Sequence, residues 1–233
     1  MDASRTQPPQ AKALENVSVD VVIFTLRSHD LQVCLVRRDC DPFMNYWSLP
    51  GGAVDADETL EAAAMRLLHS KTGVSDVYLQ QLYTFSNPER DPRRRVISVA
   101  YFALISAEQL SAEHLDENSE SLSWHSVFNL PALAFDHADI VNYALTRLRY
   151  KIEYSAVAFE LMPEEFTLRE LQDAYMIILD DHTLDKANFR KKIREADILE
   201  GVEGYRETGG RPAKLYRFRK DAQLEVKARR IFP

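Results

Sequence analysis

The chain has 233 residues, 45% of them hydrophobic, with 29 Lys and Arg against 36 Asp and Glu for a formal net charge of −7. That length holds one large domain or two ordinary ones, and the apolar share is enough for a packed core, which excludes wholesale disorder. No apolar run reaches the ~18 residues of a membrane-spanning helix, and the opening MDASRTQPPQAKALEN lacks the hydrophobic stretch of a secretory signal.

Residues 1–16 are expected to form a loose arm rich in Pro, Gln and Ala. Two cysteines, Cys34 and Cys40, make neither a disulfide framework nor a zinc site, and Cys34, inside VCLV, reads as a core residue. The expectation is a reduced, cytoplasmic protein. SVDVVIFTL (18–26) and LQVCLVRR (31–38) predict a hairpin turning at Ser28-His29-Asp30, with strands covered on both faces. WSLPGG (47–52) reads as one strand ending in a glycine turn. Residues 58–72 predict a helix with Asp57 or Thr59 as its cap and Gly73 as its stop. Strands are expected at 77–85 and 96–105, flanking the charged loop NPERDPRRR, and at 121–127. Residues 137–154 predict a helix with Ile140, Tyr143, Ala144, Leu148 and Ile152 as its apolar positions. The first part is therefore an α/β or α+β layered domain, a mixed sheet with helices on its faces.

The character changes near residue 155, where the boundary between a domain over 17–155 and another over 156–233 is placed. FTLRELQDAYMIIL (166–179) predicts a helix opened by the capping pattern Thr167-x-x-Glu170. A short turn leads to a second helix, LDKANFRKKIREAD (184–197), and then to two alternating stretches joined by glycines. Helix, turn, helix and hairpin follow one another as in a winged helix-turn-helix. Residues 186–220 hold 11 Lys and Arg against 5 Asp and Glu, a local +6 inside a chain of −7.

In the second helix Phe189, Ile193 and Ala196 mark a buried stripe, while Lys186, Arg190, Lys191 and Arg194 fall on the other sides. Asp185 is a plausible cap, and Asn188, near the helix start, is suited to reading adenine. Taken alone, this helix reads as an ordinary solvated amphipathic one. The hairpin changes that: Gly209-Gly210-Arg211-Pro212 gives a tip carrying an arginine, and Lys214, Arg217 and Arg219 alternate with Leu215, Tyr216 and Phe218. A recognition helix for the major groove and a basic wing for the minor groove point to double-stranded DNA.

In the first part, Gly52, Glu58, Arg66, Gly73 and Val74 fall on the frame G-x5-E-x7-R-E-U-x-E-E-x-G-U, where U is a bulky aliphatic. This resembles the Nudix box. The resemblance, extending over about 17–150, implies a fold that hydrolyses nucleoside diphosphates with Mg²⁺ or Mn²⁺ held on glutamates of the box helix. Here those glutamates are replaced by Leu67, Ser70 and Lys71. A ligand site without turnover is expected, with no bound metal and no cofactor; a purely structural relic is the alternative. The loop from Asn87 to Arg95 resembles the charged loop of Nudix proteins acting on ADP-ribose, and its Arg90 and Arg93 suit phosphate. Arg37, Arg38, Gly51, Gly52, Glu58, Arg66, Lys71 and Asn87 complete the candidate ligand set, with Phe43, Tyr46 and Trp47 as a stacking face or as core. Lys71 can pair with Glu58 or meet a phosphate. DNA candidates are Lys186, Asn188, Arg190, Lys191, Arg194, Arg211 and Lys214.

A Nudix-like domain followed by a winged helix resembles the Nudix-related transcriptional regulators of NAD metabolism (NrtR-like). The motifs carrying the resemblance are Asn87–Arg93, Leu184–Ile193 and Gly210–Phe218. It implies a homodimeric repressor of NAD biosynthesis or salvage genes, released from operator DNA by ADP-ribose or a related nucleotide. Two rivals remain open: a Nudix hydrolase with an unusual base, and a module whose winged helix binds protein or RNA.

Overall fold

The computed structural model describes residues 16–111, 121–207 and 212–219. Nearly all of the N-terminal arm, and the wing tip with Gly209, Gly210 and Arg211, lie outside the described residues.

β1 (Val17–Arg27) and β2 (Asp30–Arg37) form the expected antiparallel hairpin. The turn is tight because Ser28 and His29 both take positive φ, 52° and 57°, which matches the right-handed strand twist. β1 is buried on both faces: Val22 and Phe24 point to one core, Val19, Val21 and Ile23 to another. WSLPGG is not one strand. β3 (Trp47–Ser48) pairs with β2, and β4 (Gly51–Ala53) pairs with β1. α1 (Leu60–Thr72) is capped by Thr59 rather than Asp57, with Ala62 N–H donating to its hydroxyl at 3.1 Å. Gly73, at φ 70°, ends it in the left-handed conformation that favours glycine.

β5 (Tyr78–Phe85) pairs antiparallel with β6 (Ile97–Leu104), and β6 runs parallel to β1. β7 (Leu122–Ser126) adds to β2. The result is a seven-stranded mixed sheet, order β3-β2-β1-β6-β5, with β4 and β7 branching from β1 and β2. α1 covers one face. α2 (His137–Tyr154) covers the other through Ile140, Val141, Ala144, Leu148 and Ile152, whereas Tyr143 is 40% exposed on its outer side.

After α2 come a short 3-10 turn and the two-residue strand β8 (Phe166–Thr167). α3 (Leu168–Leu179) opens on the full capping box: Glu170 N–H donates to Thr167 and Thr167 N–H to the Glu170 carboxylate. α4 (Lys186–Glu195) is capped by Asp185, which takes the Asn188 N–H at 2.7 Å. β9 (Leu199–Arg206) and β10 (Ala213–Phe218) form the wing, in a sheet ordered β8-β10-β9. One apolar core runs from β1 and β2 through α2 into Tyr175 of α3 and Phe189 and Ile193 of α4. Arg149 of α2 donates to the Ile178 carbonyl at 2.8 Å, fastening α2 to α3. No helix among the described residues is long and apolar enough to cross a membrane.

Candidate effector cavity and DNA-binding surface

β1 and β2 pair only from Phe24 to Arg27 against Asp30 to Val33, then part. Beyond the parting, β1 takes β4 as partner and β2 takes β3 and β7. The cleft between them opens into a cavity of about 680 Å³, a size that suits a small organic ligand. Its wall includes Arg37, Arg38, Gly51, Gly52, Lys71, Arg90, Arg93, Arg94 and Phe135. Gly51 is required there because a Cβ would stand 2.2 Å from Asp20 Oδ1.

A buried ionic clasp forms the floor. Arg90 donates Nε and Nη2 to the Asp136 carboxylate at 2.9 and 2.7 Å, and Nη2 also to Asp20 at 3.3 Å. Burial works against the Arg90 charge, but Asp136 and Asp20 outweigh it and its pKa ends above the ordinary value. Ser98 donates its hydroxyl to Asp20. His137 accepts the Leu49 N–H on Nδ1 at 2.9 Å, and burial holds its pKa below the usual value, so the ring is neutral. The clasp thus joins β1, the charged loop and the first turn of α2, directly under the cavity. Arg93 folds onto Asp91, at 3.0 and 2.7 Å, and this bond holds the Asp91 carboxyl below its usual range. Phe135, at φ 55°, lies under the Arg38 guanidinium, 4.7 Å from ring to cation, with Arg93 at 5.8 Å.

On α1, Leu67 is 9% exposed and belongs to the core under the sheet. Ser70 donates its hydroxyl to the Leu67 carbonyl at 2.8 Å. Glu58 is held by Arg66, Nε to Oε2 3.0 Å, and this bond keeps its carboxyl below the usual value. An apolar side chain, a self-satisfied hydroxyl and an ammonium do not fit a hard divalent cation, which needs several oxygen ligands.

In the second part, Phe189 and Ile193 are fully buried, with Phe189 edge-on to Tyr175 at 5.3 Å, while Ala196 is half-buried. Gln172 donates to the Leu184 carbonyl at 3.1 Å and fixes the turn between the helices. Lys186, Asn188, Lys191 and Arg194 are exposed and Arg190 is half-buried. Wing cations differ from one another. Arg206 binds Glu170 at 2.7 Å, Arg219 binds Asp197 at 2.7 Å and Arg217 pairs with Glu200, so these three brace the domain. Lys214 is exposed, with Nζ 5.5 Å from the Tyr216 ring.

A model of the NrtR DNA-binding winged helix domain matches residues 158–218, and a NUDIX domain model matches 15–144. The ADPR-responsive transcriptional repressor NtrR of Acinetobacter baylyi is 42% identical over 206 residues, which is 87% of this chain and 81% of that protein. The chain belongs to the NrtR family.

Other likenesses sit around that of the NrtR family. The crystal structure of Shewanella oneidensis NrtR complexed with a 27mer DNA matches at TM-score 0.79 and 37% identity, covering 88% of this chain and 94% of that one. An ADP-ribose pyrophosphatase of Methanocaldococcus jannaschii is 34% identical over 125 residues, 54% of this chain and 70% of that enzyme. The regulator thus matches most of this NrtR-family chain in sequence, and the enzyme about half of it.

Of the ligand residues expected from sequence, the cavity brings together Arg37, Arg38, Gly51, Gly52, Lys71, Arg90 and Arg93. Glu58 and Arg66 lie outside its wall, locked to each other at the start of α1. Asn87 also lies outside: its side chain accepts the Glu89 N–H at 2.9 Å and shapes the charged loop. Phe43, Tyr46 and Trp47 are not in the wall; Trp47 packs on the core beside His125. Asp20, Phe135 and His137 were missed. Each follows or precedes apolar sequence with no motif of its own, and only the interruption of the apolar run VSVDVVIF by Asp20 hinted at a buried charge.

Proposed function

We propose that this chain is a homodimeric, cytoplasmic repressor of NAD biosynthesis or salvage genes, whose Nudix domain (17–155) binds ADP-ribose without hydrolysing it and whose winged helix (156–233) binds operator DNA. The observation that carries the reading is α2. Its N-cap residue Asp136 is clasped by Arg90 under a cationic cavity, and its last turns are packed and hydrogen-bonded to α3, which supports the recognition helix. A nucleotide that shifts the clasp therefore has a rigid path to the DNA-binding helices. The relatives support both ends: one is named for its response to ADPR, another was crystallised with DNA. Loss of turnover is supported by Leu67, Ser70 and Lys71 at the three glutamate positions of the box.

For the nucleotide to release DNA it must prefer the free state over the DNA-bound state. A typical coupling of about 1–3 kcal/mol weakens operator affinity about 5- to 150-fold, and linkage requires operator DNA to weaken ADP-ribose binding by the same factor. Fluorescence anisotropy with the upstream DNA of the chain's own operon, with and without ADP-ribose, measures the first; calorimetry with and without that DNA measures the second. Equal ADP-ribose affinity in the two calorimetric titrations refutes ADP-ribose as the effector. Absence of any DNA binding refutes the repressor reading.

A further inference from the structure

We propose that the cavity takes its nucleoside diphosphate without a divalent cation, the Lys71 ammonium supplying the positive charge that a metal provides in a hydrolase. This rests on the nucleotide reading of the cavity above. α1 packs directly over β4, with Leu67 Cδ2 3.2 Å from the position a Cβ on Gly52 would occupy. Lys71 follows Leu67 by one helical turn, so it lies on the same face of α1. It enters the cavity wall beside Gly51, Gly52 and Ala53.

The charge balance of that wall is already cationic. It holds six Lys and Arg against Asp20, Asp39 and Asp91, an excess of three. Arg90 and Arg93 are engaged by carboxylates, whereas Arg37 and Lys71 have no ion-pair partner among the described residues. His137 adds no charge because Nδ1 accepts the Leu49 N–H. In a hydrolase the box helix is itself anionic, so pyrophosphate cannot approach its carboxylates until a metal reverses their charge. Here the box helix offers Leu67 to the core, a Ser70 hydroxyl bonded to its own helix, and a cation. A free Mg²⁺ would meet a net positive wall and, among the described residues, no group of three side chains placed to hold it; a diphosphate meets an ammonium at once. Metal is neither accommodated nor needed, which also removes the usual means of activating the attacking water.

The test is calorimetric titration of the full chain with ADP-ribose in EDTA and again in excess Mg²⁺, for wild type, Lys71→Met and Lys71→Arg. The expected result is the same wild-type affinity in both buffers. Lys71→Met should weaken binding about 10- to 100-fold, the range of a hydrogen bond to a charged group, with an unchanged melting temperature. Lys71→Arg, which keeps the charge, should retain most of the affinity. Binding that needs Mg²⁺ overturns the proposal and leaves the nucleotide reading standing. Wild-type affinity in Lys71→Met, with EDTA present, overturns the role of Lys71. No ADP-ribose binding in either buffer overturns both readings together.

Discussion

Replacing Arg90 with Met separates two roles that the same arginine can play. The Arg90 side chain is 5% exposed, and its partners Asp20 and Asp136 are 8% and 17% exposed. Met fills the volume but leaves two carboxylates, each bonded to the same Arg90 Nη2, without their cation. Asp20 would keep the Ser98 hydroxyl and His137 Nε2 at 3.7 Å; Asp136 would depend on its partial contact with water. Removing one partner of a buried pair costs about 3–5 kcal/mol. The partial exposure of Asp136 places the expectation at the lower end, about 3 kcal/mol. At roughly 2–4 °C per kcal/mol for a chain of this size, the melting temperature should fall by about 6–12 °C. Urea unfolding and thermal melting of the nucleotide-free protein at neutral pH measure this. Adding Asp20→Asn should recover about 1 kcal/mol or more, since it removes an uncompensated charge next to the first substitution. A direct phosphate ligand would behave differently: Arg90→Met would lose ADP-ribose affinity while melting like wild type. A melting temperature within about 2 °C of wild type refutes the clasp as a structural element.

Three further outcomes are expected. Lys191→Ala or Arg190→Ala should weaken operator binding by about 1–3 kcal/mol if the side chain reads a base, or reduce the slope of log K against log salt by about 1 if it contacts a phosphate; neither change in either variant removes α4 as the recognition helix. Leu67→Glu, intended to restore the Nudix box, should instead destabilise by about 2–3 kcal/mol because it puts a carboxylate into the core under Gly52, whereas Ser70→Glu on the exposed side should stay within about 0.5 kcal/mol; equal unfolding midpoints for the two would contradict this packing. The depressed pKa of buried His137 means that the unfolded chain binds more protons below the ordinary histidine value of about 6.5, so stability should fall as pH drops below 6.5, by at most about 1.4 kcal/mol per unit for this group. His125, also depressed by burial, acts in the same direction, while Glu58 and Asp91, depressed by Arg66 and Arg93, keep their contributions until lower pH. His137→Asn should flatten the melting curve against pH between 6.5 and 5; an unchanged slope assigns the effect elsewhere.

Elements with local causes were legible in the chain. The helix limits at Thr59, Gly73 and Thr167 follow from side chains that satisfy the nearest unpaired amides or tolerate a left-handed turn, and such signals span only a few residues. The stripe of Phe189 and Ile193 follows from helical periodicity, and the hairpin of β1 and β2 from two runs rich in Val, Ile and Leu on either side of a short polar turn. The basic second part and the altered box helix are likewise written in order along the sequence. What the tertiary structure decided is pairing at a distance. WSLPGG splits into two strands because β1 and β2 diverge, and each short strand satisfies the backbone of a different one. The same divergence makes the cavity. The parallel pairing of β1 with β6 has no local signature, since it depends on connections that bring distant segments side by side. Arg90 does line the cavity, as an arginine of the charged loop suggests, but its buried partners were not legible: the clasp joins it to Asp20, seventy residues away, and to Asp136, forty-six away. A buried charge takes whichever opposite charge the fold delivers, and that choice is made by topology rather than by neighbours in the chain.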